Sequence, residues 1–322
     1  MSELTRRPSL LRRLRDGLLV RGALFCSWLA PKFRLQTLQR FGRAVGALAA
    51  AVPHRRRRRV DEHLRIAFPE AGPEERRRLL RASYQGTVLY VLETLWIRAW
   101  DPARDRGRVE VLQKDRFEET MRLVREHGRG FVIFTAHLGS LELMGKWICA
   151  ELGIPVLAVA APPKIAGLGE PLQRQREQGG VRVVYRGEAG PAALRHLRAG
   201  GAVIMLVDHN VKGPGVAVPF FGRPAHTLLA PARLALQSGA VANTLFGLRA
   251  EDGRFLVECG EPMVLPPYPR DREERFVREA SLTREYTNRI ESMVRNYPDQ
   301  YLWMHRRWQE RRGTLPLPPE CS

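Results

Sequence analysis

The residues able to move a proton stand where apolar runs end. His137 follows Phe131-Val-Ile-Phe-Thr135, and Glu142 comes five residues later, behind Gly139 and Ser140. Asp208 and His209 close a second run, Ala202-Val-Ile-Met-Leu-Val207. On a regular helix, residues five apart do not share a face. Across a tight turn they can meet, and a glutamate accepting from one imidazole nitrogen fixes the tautomer. The other nitrogen is then left to take a proton from a bound hydroxyl. Such a base needs no protein nucleophile, and Ser140 has no plausible triad around it. The plainer reading of the pair, a turn histidine and a glutamate capping a helix, stays open on these residues alone. His209 adds a second imidazole, but nothing supplies a third ligand at a recognisable spacing, so no metal is expected.

Particular elements must hold these groups. Phe131–Thr135 is a short β-rich run bounded by Gly128 and Gly130, as in a buried strand of a parallel sheet. Ser140 is a good N-cap, and Leu141, Met144, Ile148 and Leu152 recur at helical spacing. The same alternation runs on from Val109. Strands are expected at 109–112, 131–135, 155–160, 181–186, 202–207, 239–249 and 255–259, the last two as a hairpin. Helices are expected at 116–126, 141–152, 191–199 and 273–295. Strand, helix, strand in that order implies parallel pairs with right-handed crossovers, and sites in such sheets sit at the carboxyl ends of strands. His137 and Asp208 both stand there. Backbone N–H groups at the start of the 141 helix are candidates for an oxyanion site.

The first hundred residues read differently. Arginines 6, 7, 12, 13 and 15 precede an apolar stretch at 17–30 that Arg21 interrupts. It is shorter than the roughly 20 apolar residues a spanning helix needs and lacks a convincing cleavage site. An interfacial or weakly inserted helix is expected, a peripheral contact or a single N-terminal anchor, with Trp28 and flanking arginines at headgroup level; a buried amphipathic helix is the other reading. Further helices are expected at 41–52, from the run Arg55-Arg-Arg-Arg-Arg59, and from Pro73 through Trp96. The fold class is therefore α/β: a mixed, largely parallel central sheet flanked by helices, with an N-terminal helical, membrane-apposed part. The expected division is 1–100, 101–312 and a Pro-rich tail at 313–322.

The segment His137-Leu-Gly-Ser-Leu-Glu142 resembles the His-x4-Asp/Glu motif of the glycerolipid acyltransferase superfamily. In its Glu form after an apolar strand it is similar to the lipid A biosynthesis acyltransferases of lauroyl and myristoyl type. Three further segments carry the resemblance: the arginine-rich run leading to Phe68-Pro69, Val216-Ala-Val-Pro-Phe-Phe-Gly-Arg-Pro-Ala-His-Thr227, and Tyr297-Pro-Asp-Gln-Tyr-Leu-Trp-Met-His-Arg-Arg-Trp308. Together they span roughly residues 55–312. The resemblance implies transfer of a fatty acyl chain from acyl-carrier protein or acyl-CoA to a hydroxyl of a lipid A precursor, by direct attack. His137 would be the general base and Glu142 its orienting partner. Arg176, with Arg174 as the fallback, would hold the phosphate or carrier end of a substrate, and Arg249 and Arg306 would contact phosphates. Asp208 would orient the base, pair with an arginine or cap a loop. Thr227 would cap a helix or bind the thioester end. Phe220 and Phe221 would line an acyl groove or pack in the core. No organic cofactor or metal is implied, and the place of work would be the cytoplasmic face of the inner membrane. The sequence departs from the pattern at Ala230-Pro231, where a glycine usually opens a helix, and at Asn243-Thr244, which replaces Val-Pro.

Composition agrees with that reading without requiring it. A chain of 322 residues at 44% hydrophobic content can bury a sizeable core. The net charge of +19 calls for acidic partners: anionic lipid, an acidic carrier protein or nucleic acid. With lysine only at positions 32, 114, 146, 164 and 212, a compositional preference for arginine explains part of that charge without any partner. Cys26, Cys149, Cys259 and Cys321 form no C-x-x-C pair, which argues against a zinc site or disulfide scaffold and fits a reducing compartment. Rival readings are an acyltransferase for another glycolipid, such as a phosphatidylinositol mannoside or an ornithine-type lipid, a basic nucleic-acid-binding protein, and a non-catalytic membrane scaffold. The last two leave the His137 motif idle.

Overall fold

The computed structural model describes residues 10–161, 173–174, 176–177 and 180–321. Most of the 162–180 stretch and the first nine residues therefore lie outside the described residues. Four helices come first: α1 (Leu10–Leu29), α2 (Leu35–Ala51), α3 (Arg55–Ala67) and α4 (Pro73–Trp96). Gly46 lets α2 and α4 touch, since a Cβ there would lie 2.4 Å from the Gln85 Cα. Among the described residues no helix is long and apolar enough to cross a bilayer. Even so, α1 and α2 leave Leu18, Phe25, Trp28, Phe41 and Leu48 exposed.

After the short α5 (Pro102–Asp105) the chain alternates: β1 (Val109–Val111), α6 (Lys114–His127), β2 (Phe131–Thr135), α7 (Leu141–Leu152), β3 (Val156–Ala160), β4 (Val181–Tyr185), α8 (Ala189–Arg198) and β5 (Ala202–Leu206). The hairpin β6 (Gly215–Phe220) and β7 (Arg223–Leu228) follows. Then come α9 (Ala230–Ser238), β8 (Val241–Arg249), β9 (Phe255–Cys259), α10 (Arg272–Asn296) and β10 (Thr314–Leu315). Among the described residues the main sheet has seven strands in the order β1-β9-β8-β2-β5-β3-β4, and only the expected β8–β9 hairpin is antiparallel. This is the mixed, largely parallel α/β sheet that the alternation implies.

β2 lies inside the sheet with every residue buried. Its side chains alternate between two cores, as the strand repeat requires. Val132 and Phe134 join Leu197, Leu236, Tyr286 and Tyr301 on one face. Phe131 and Ile133 join Met121, Met144 and Trp147 on the other. The long helix α4 feeds both, through Tyr84 at one end and Trp96 at the other.

Two expected segments take definite places here. Within the Pro-rich tail, β10 pairs in parallel with β6, and Cys321 is buried beside Ala280. Of the two readings of Phe220 and Phe221, packing in the core is the one seen. Phe220 and Phe221 are buried, Phe221 against Phe68 and Trp303 and Phe220 against Trp308, so both belong to the core. The turn between β6 and β7 has positive φ at Phe221 (53°) and Gly222 (72°), the pair of left-handed residues that a two-residue hairpin demands.

Candidate active site

Two neighbouring strands bring the chemistry together. β2 pairs with β5 in parallel, with Thr135 opposite Leu206. His137 and Asp208 each lie two residues beyond that last pair, so they emerge side by side. The His137 Nδ1 is 2.9 Å from Asp208 Oδ1, and its backbone N–H donates to Oδ2 at 3.1 Å. An ionised carboxylate only accepts, so Nδ1 is the donor in this bond, and Nε2 is the nitrogen left to exchange a proton. Asp208 is buried, and burial alone would raise its carboxyl. The His137 ring beside it more than offsets that, holding Asp208 well below the usual carboxylate range. The His137 side chain keeps 19% exposure, enough for a substrate to reach it.

Glu142 is therefore not the partner of His137 in this structure. Its first-turn position on α7 aims the carboxylate at Arg176, whose Nη2 and Nε donate to it at 2.5 and 3.0 Å. The Tyr90 hydroxyl on α4 adds a third bond at 3.3 Å. Burial, followed by the Glu142 charge, pushes the Tyr90 phenol above its ordinary value, so it stays a donor. Arg176, expected to hold a substrate, is paired within the protein instead. Desolvation works against its charged form, yet Glu142 raises its pKa overall.

A built turn connects the two strand ends with α7. Gly139 has φ +66°, and a Cβ there would lie 2.0 Å from the Gly247 carbonyl oxygen. The N–H groups of Gly139 and Ser140 donate to the backbone oxygens of Gln300 and Gly247 at 3.2 and 2.6 Å. They are thus not available to an oxyanion, which leaves the first N–H groups inside α7 for that role. Replacing Gly139 by alanine meets both the unfavourable φ and a rigid backbone oxygen. The expected loss is about 3 kcal/mol or more, read as an earlier urea midpoint with unchanged slope.

Arg249 holds the same turn from below. Its guanidinium is buried, forks onto Glu93 of α4 at 2.7–2.9 Å, and donates to the Gly139 carbonyl at 2.9 Å. Its expected contact with a phosphate is replaced by this internal pair. Thr227 is likewise internal: it sits in β7, donates to the Ala225 carbonyl and accepts from Arg307, and α9 begins without a side-chain cap. Arg306 is exposed, as a phosphate ligand must be. Its neighbour Arg307 is buried, donates to the His226 carbonyl and lies over the Phe220 ring.

The residue that the spacing missed is His305. The C-terminal segment folds back so that the Leu302 N–H donates to the His137 carbonyl at 3.0 Å, and His305 stacks on His209 with centroids 3.8 Å apart. His209 in turn stacks on His137 at 3.8 Å. The Nε2 atoms of His209 and His305 are 3.3 Å apart. Desolvation, then the nearby His137, lowers His209 to about 2 and His305 to about 4, so both rings are neutral near pH 7. Inside an irregular segment, the only signal for His305 was its membership of the Trp-x-His-Arg-Arg match.

Two surfaces flank the cluster. An apolar cavity of about 330 Å³ opens beside His209, lined by Val159, Met205 and Leu234 together with Arg186 and Lys212. A smaller one of about 50 Å³ lies between Tyr90, His137, Leu141 and Leu302. On the outside, α3 lies along the C-terminal segment: Arg59 donates to the Met304 carbonyl, and His63 Nδ1 contacts the Trp303 carbonyl at 2.8 Å. Burial, followed by Arg306 and Arg56, lowers the Arg59 guanidinium, which marks a crowded cationic surface.

The chain is similar to known proteins over most of its length. A model described as bacterial lipid A biosynthesis acyltransferase matches residues 10–310. The chain is 27% identical over 299 residues to the lipid A biosynthesis lauroyltransferase of Escherichia coli K12, covering 90% of each chain. It is 25% identical over 292 residues to the palmitoleoyltransferase of the same organism, covering 88% of this chain and 89% of that one. It is also 25% identical over 280 residues to a phosphatidylinositol mannoside acyltransferase of Mycolicibacterium smegmatis, covering 78% and 86%.

Proposed function

Because this chain belongs to the bacterial lipid A biosynthesis acyltransferase family, we propose that it moves a fatty acyl group from a thioester to a hydroxyl of a lipid A precursor. His137 is the base and Asp208 its orienting partner. The observation that carries this is the 2.9 Å bond from His137 Nδ1 to a buried carboxylate, which leaves Nε2 for the substrate on a ring that is still part-exposed. The acceptor hydroxyl gives its proton to Nε2 as its oxygen bonds to the thioester carbonyl carbon. Collapse of the tetrahedral intermediate breaks the C–S bond, and the imidazolium returns the proton to the departing thiolate. Charge building on the carbonyl oxygen is met by N–H groups in the first turn of α7.

The flanking surfaces fit the two substrates. The apolar cavity beside His209 suits an acyl chain, with Arg186 and Lys212 for the phosphate of a carrier's prosthetic arm. Arg59 and Arg306 suit the phosphates of the acceptor. The donor is an acidic acyl-carrier protein, in keeping with the net charge of +19, or acyl-CoA. The exposed apolar side chains of α1 and α2, with Lys32 Nζ 3.2 Å above the Trp28 ring, suit contact with the cytoplasmic face of the inner membrane.

The mycobacterial likeness favours one second reading, acylation of a phosphatidylinositol mannoside. Purified chain, given an acyl thioester and either acceptor in mixed micelles, separates the two by mass spectrometry. The expected result is one added acyl ester on the lipid A precursor. Acylation of the mannoside alone would replace the acceptor, and transfer to neither would remove the reading.

A further inference from the structure

We propose that His137, His209 and His305 form a binding site for a divalent transition ion of the Zn²⁺ type, and that filling it silences the base. The inhibitory half rests on the function proposed above; the binding half does not. The three imidazoles come from three distant segments: the turn after β2, the end of β5 and the C-terminal strap. Their ligand nitrogens all lie within 4.8 Å of one another. The His209 and His305 Nε2 atoms are already 3.3 Å apart, and a tetrahedron with metal–nitrogen bonds of about 2.0–2.1 Å has edges of about 3.3 Å.

The surroundings favour a metal over a chance meeting of rings. Asp208 takes the His137 Nδ1, so this ring would ligate through Nε2, the carboxylate–histidine arrangement that fixes the ligating tautomer and makes the ring a better donor. Both Asp208 oxygens are occupied by His137, one by its ring and one by its backbone N–H, so the carboxylate steadies a ligand without being one. A set of three imidazoles with no thiolate suits zinc, copper or nickel rather than magnesium or calcium. All three rings are half-buried, shielded enough to hold an ion and open enough to admit one. The rings are stacked, so coordination requires each to tilt until the lone pairs converge. Such a tilt breaks the contact between His209 and His305 and replaces it with two bonds to the ion.

The consequence for catalysis is direct. The lone pair that His137 Nε2 would give to the metal is the one that must accept the hydroxyl proton. A filled site therefore has no base, and an empty one does.

The test uses the full chain, stripped with a chelator. Zn²⁺ is titrated in competition with a chromophoric chelator, and Co²⁺ is added separately to read its visible spectrum. One equivalent is expected to bind, with the intense visible bands of a four-coordinate cobalt ion. His209→Gln and His305→Gln, which lie on different segments, should each weaken Zn²⁺ at least tenfold. His127→Gln, on the exposed end of α6, should not. One equivalent of Zn²⁺ should abolish acyl transfer by the wild-type chain, and excess chelator should restore it. Binding unchanged in both cluster variants, or a pale octahedral cobalt spectrum, overturns the site. Stoichiometric binding with acyl transfer unaffected overturns the inhibition. If no acyl transfer is seen in the stripped chain, the proposed function fails, while the cobalt spectrum still decides the site.

Discussion

Changing Asp208 to asparagine is expected to lower the turnover of acyl transfer by about 10³–10⁴-fold with little change in the fold. Asparagine keeps the shape of the side chain, but its amide can turn an N–H toward His137 Nδ1. The ring then carries its proton on Nε2, the nitrogen that must accept one. His137→Ala removes the base altogether and should cost a similar factor. The double variant should be no worse than either, because residues acting as one unit are not additive. Glu142 should behave differently. Its carboxylate holds Arg176 and Tyr90, so Glu142→Gln and Arg176→Met should produce matching losses that do not add when combined. Single-turnover rates with saturating thioester are the measurement. If Asp208→Asn stays within tenfold of wild type while Glu142→Gln loses a thousandfold or more, the pairing that the His-x4-Glu spacing suggests is the working one, and the Asp208 bond is not.

That contrast shows where the sequence is readable and where it is not. Phe131–Thr135 and Ala202–Leu206 announce themselves as buried strands because each is an unbroken apolar run, and the helix after Ser140 because its apolar residues recur at three and four. Such signals are local, written within a dozen residues. The partner of His137 is not a local matter. Glu142 is five residues away in the chain, whereas Asp208 is seventy-one away and becomes the neighbour because the sheet orders β2 beside β5. One clue was present: both residues stand just past the end of an apolar run that reads as a strand, and neighbouring parallel strands bring such ends together. His305 and the Glu93–Arg249 pair offered less. The first sits in an irregular strap with no period, and the second joins a helix of the N-terminal part to the far end of β8, a contact no spacing encodes.

Glu93 and Arg249 give the second large effect, on stability rather than on the chemical step. Both side chains are 5% exposed, and the guanidinium reaches both carboxylate oxygens and the Gly139 carbonyl. Arg249→Met removes the cation and leaves Glu93 buried, with the Gln39 amide as its remaining bond at 3.2 Å. Breaking a buried pair from one side costs about 3–5 kcal/mol, because the other charge is stranded. The urea midpoint should fall accordingly. Glu93→Leu combined with Arg249→Met strands nothing, since apolar groups of similar volume replace both charges, and most of the stability should return. Activity should not return with it. The double variant still lacks the bond that fixes Gly139, and the turn carrying His137 relies on it. Recovery of stability without turnover would assign the pair to positioning the base; recovery of both would reduce it to a core contact. A double variant as unstable as Arg249→Met alone would mean that the stranded glutamate was never the cause of the loss.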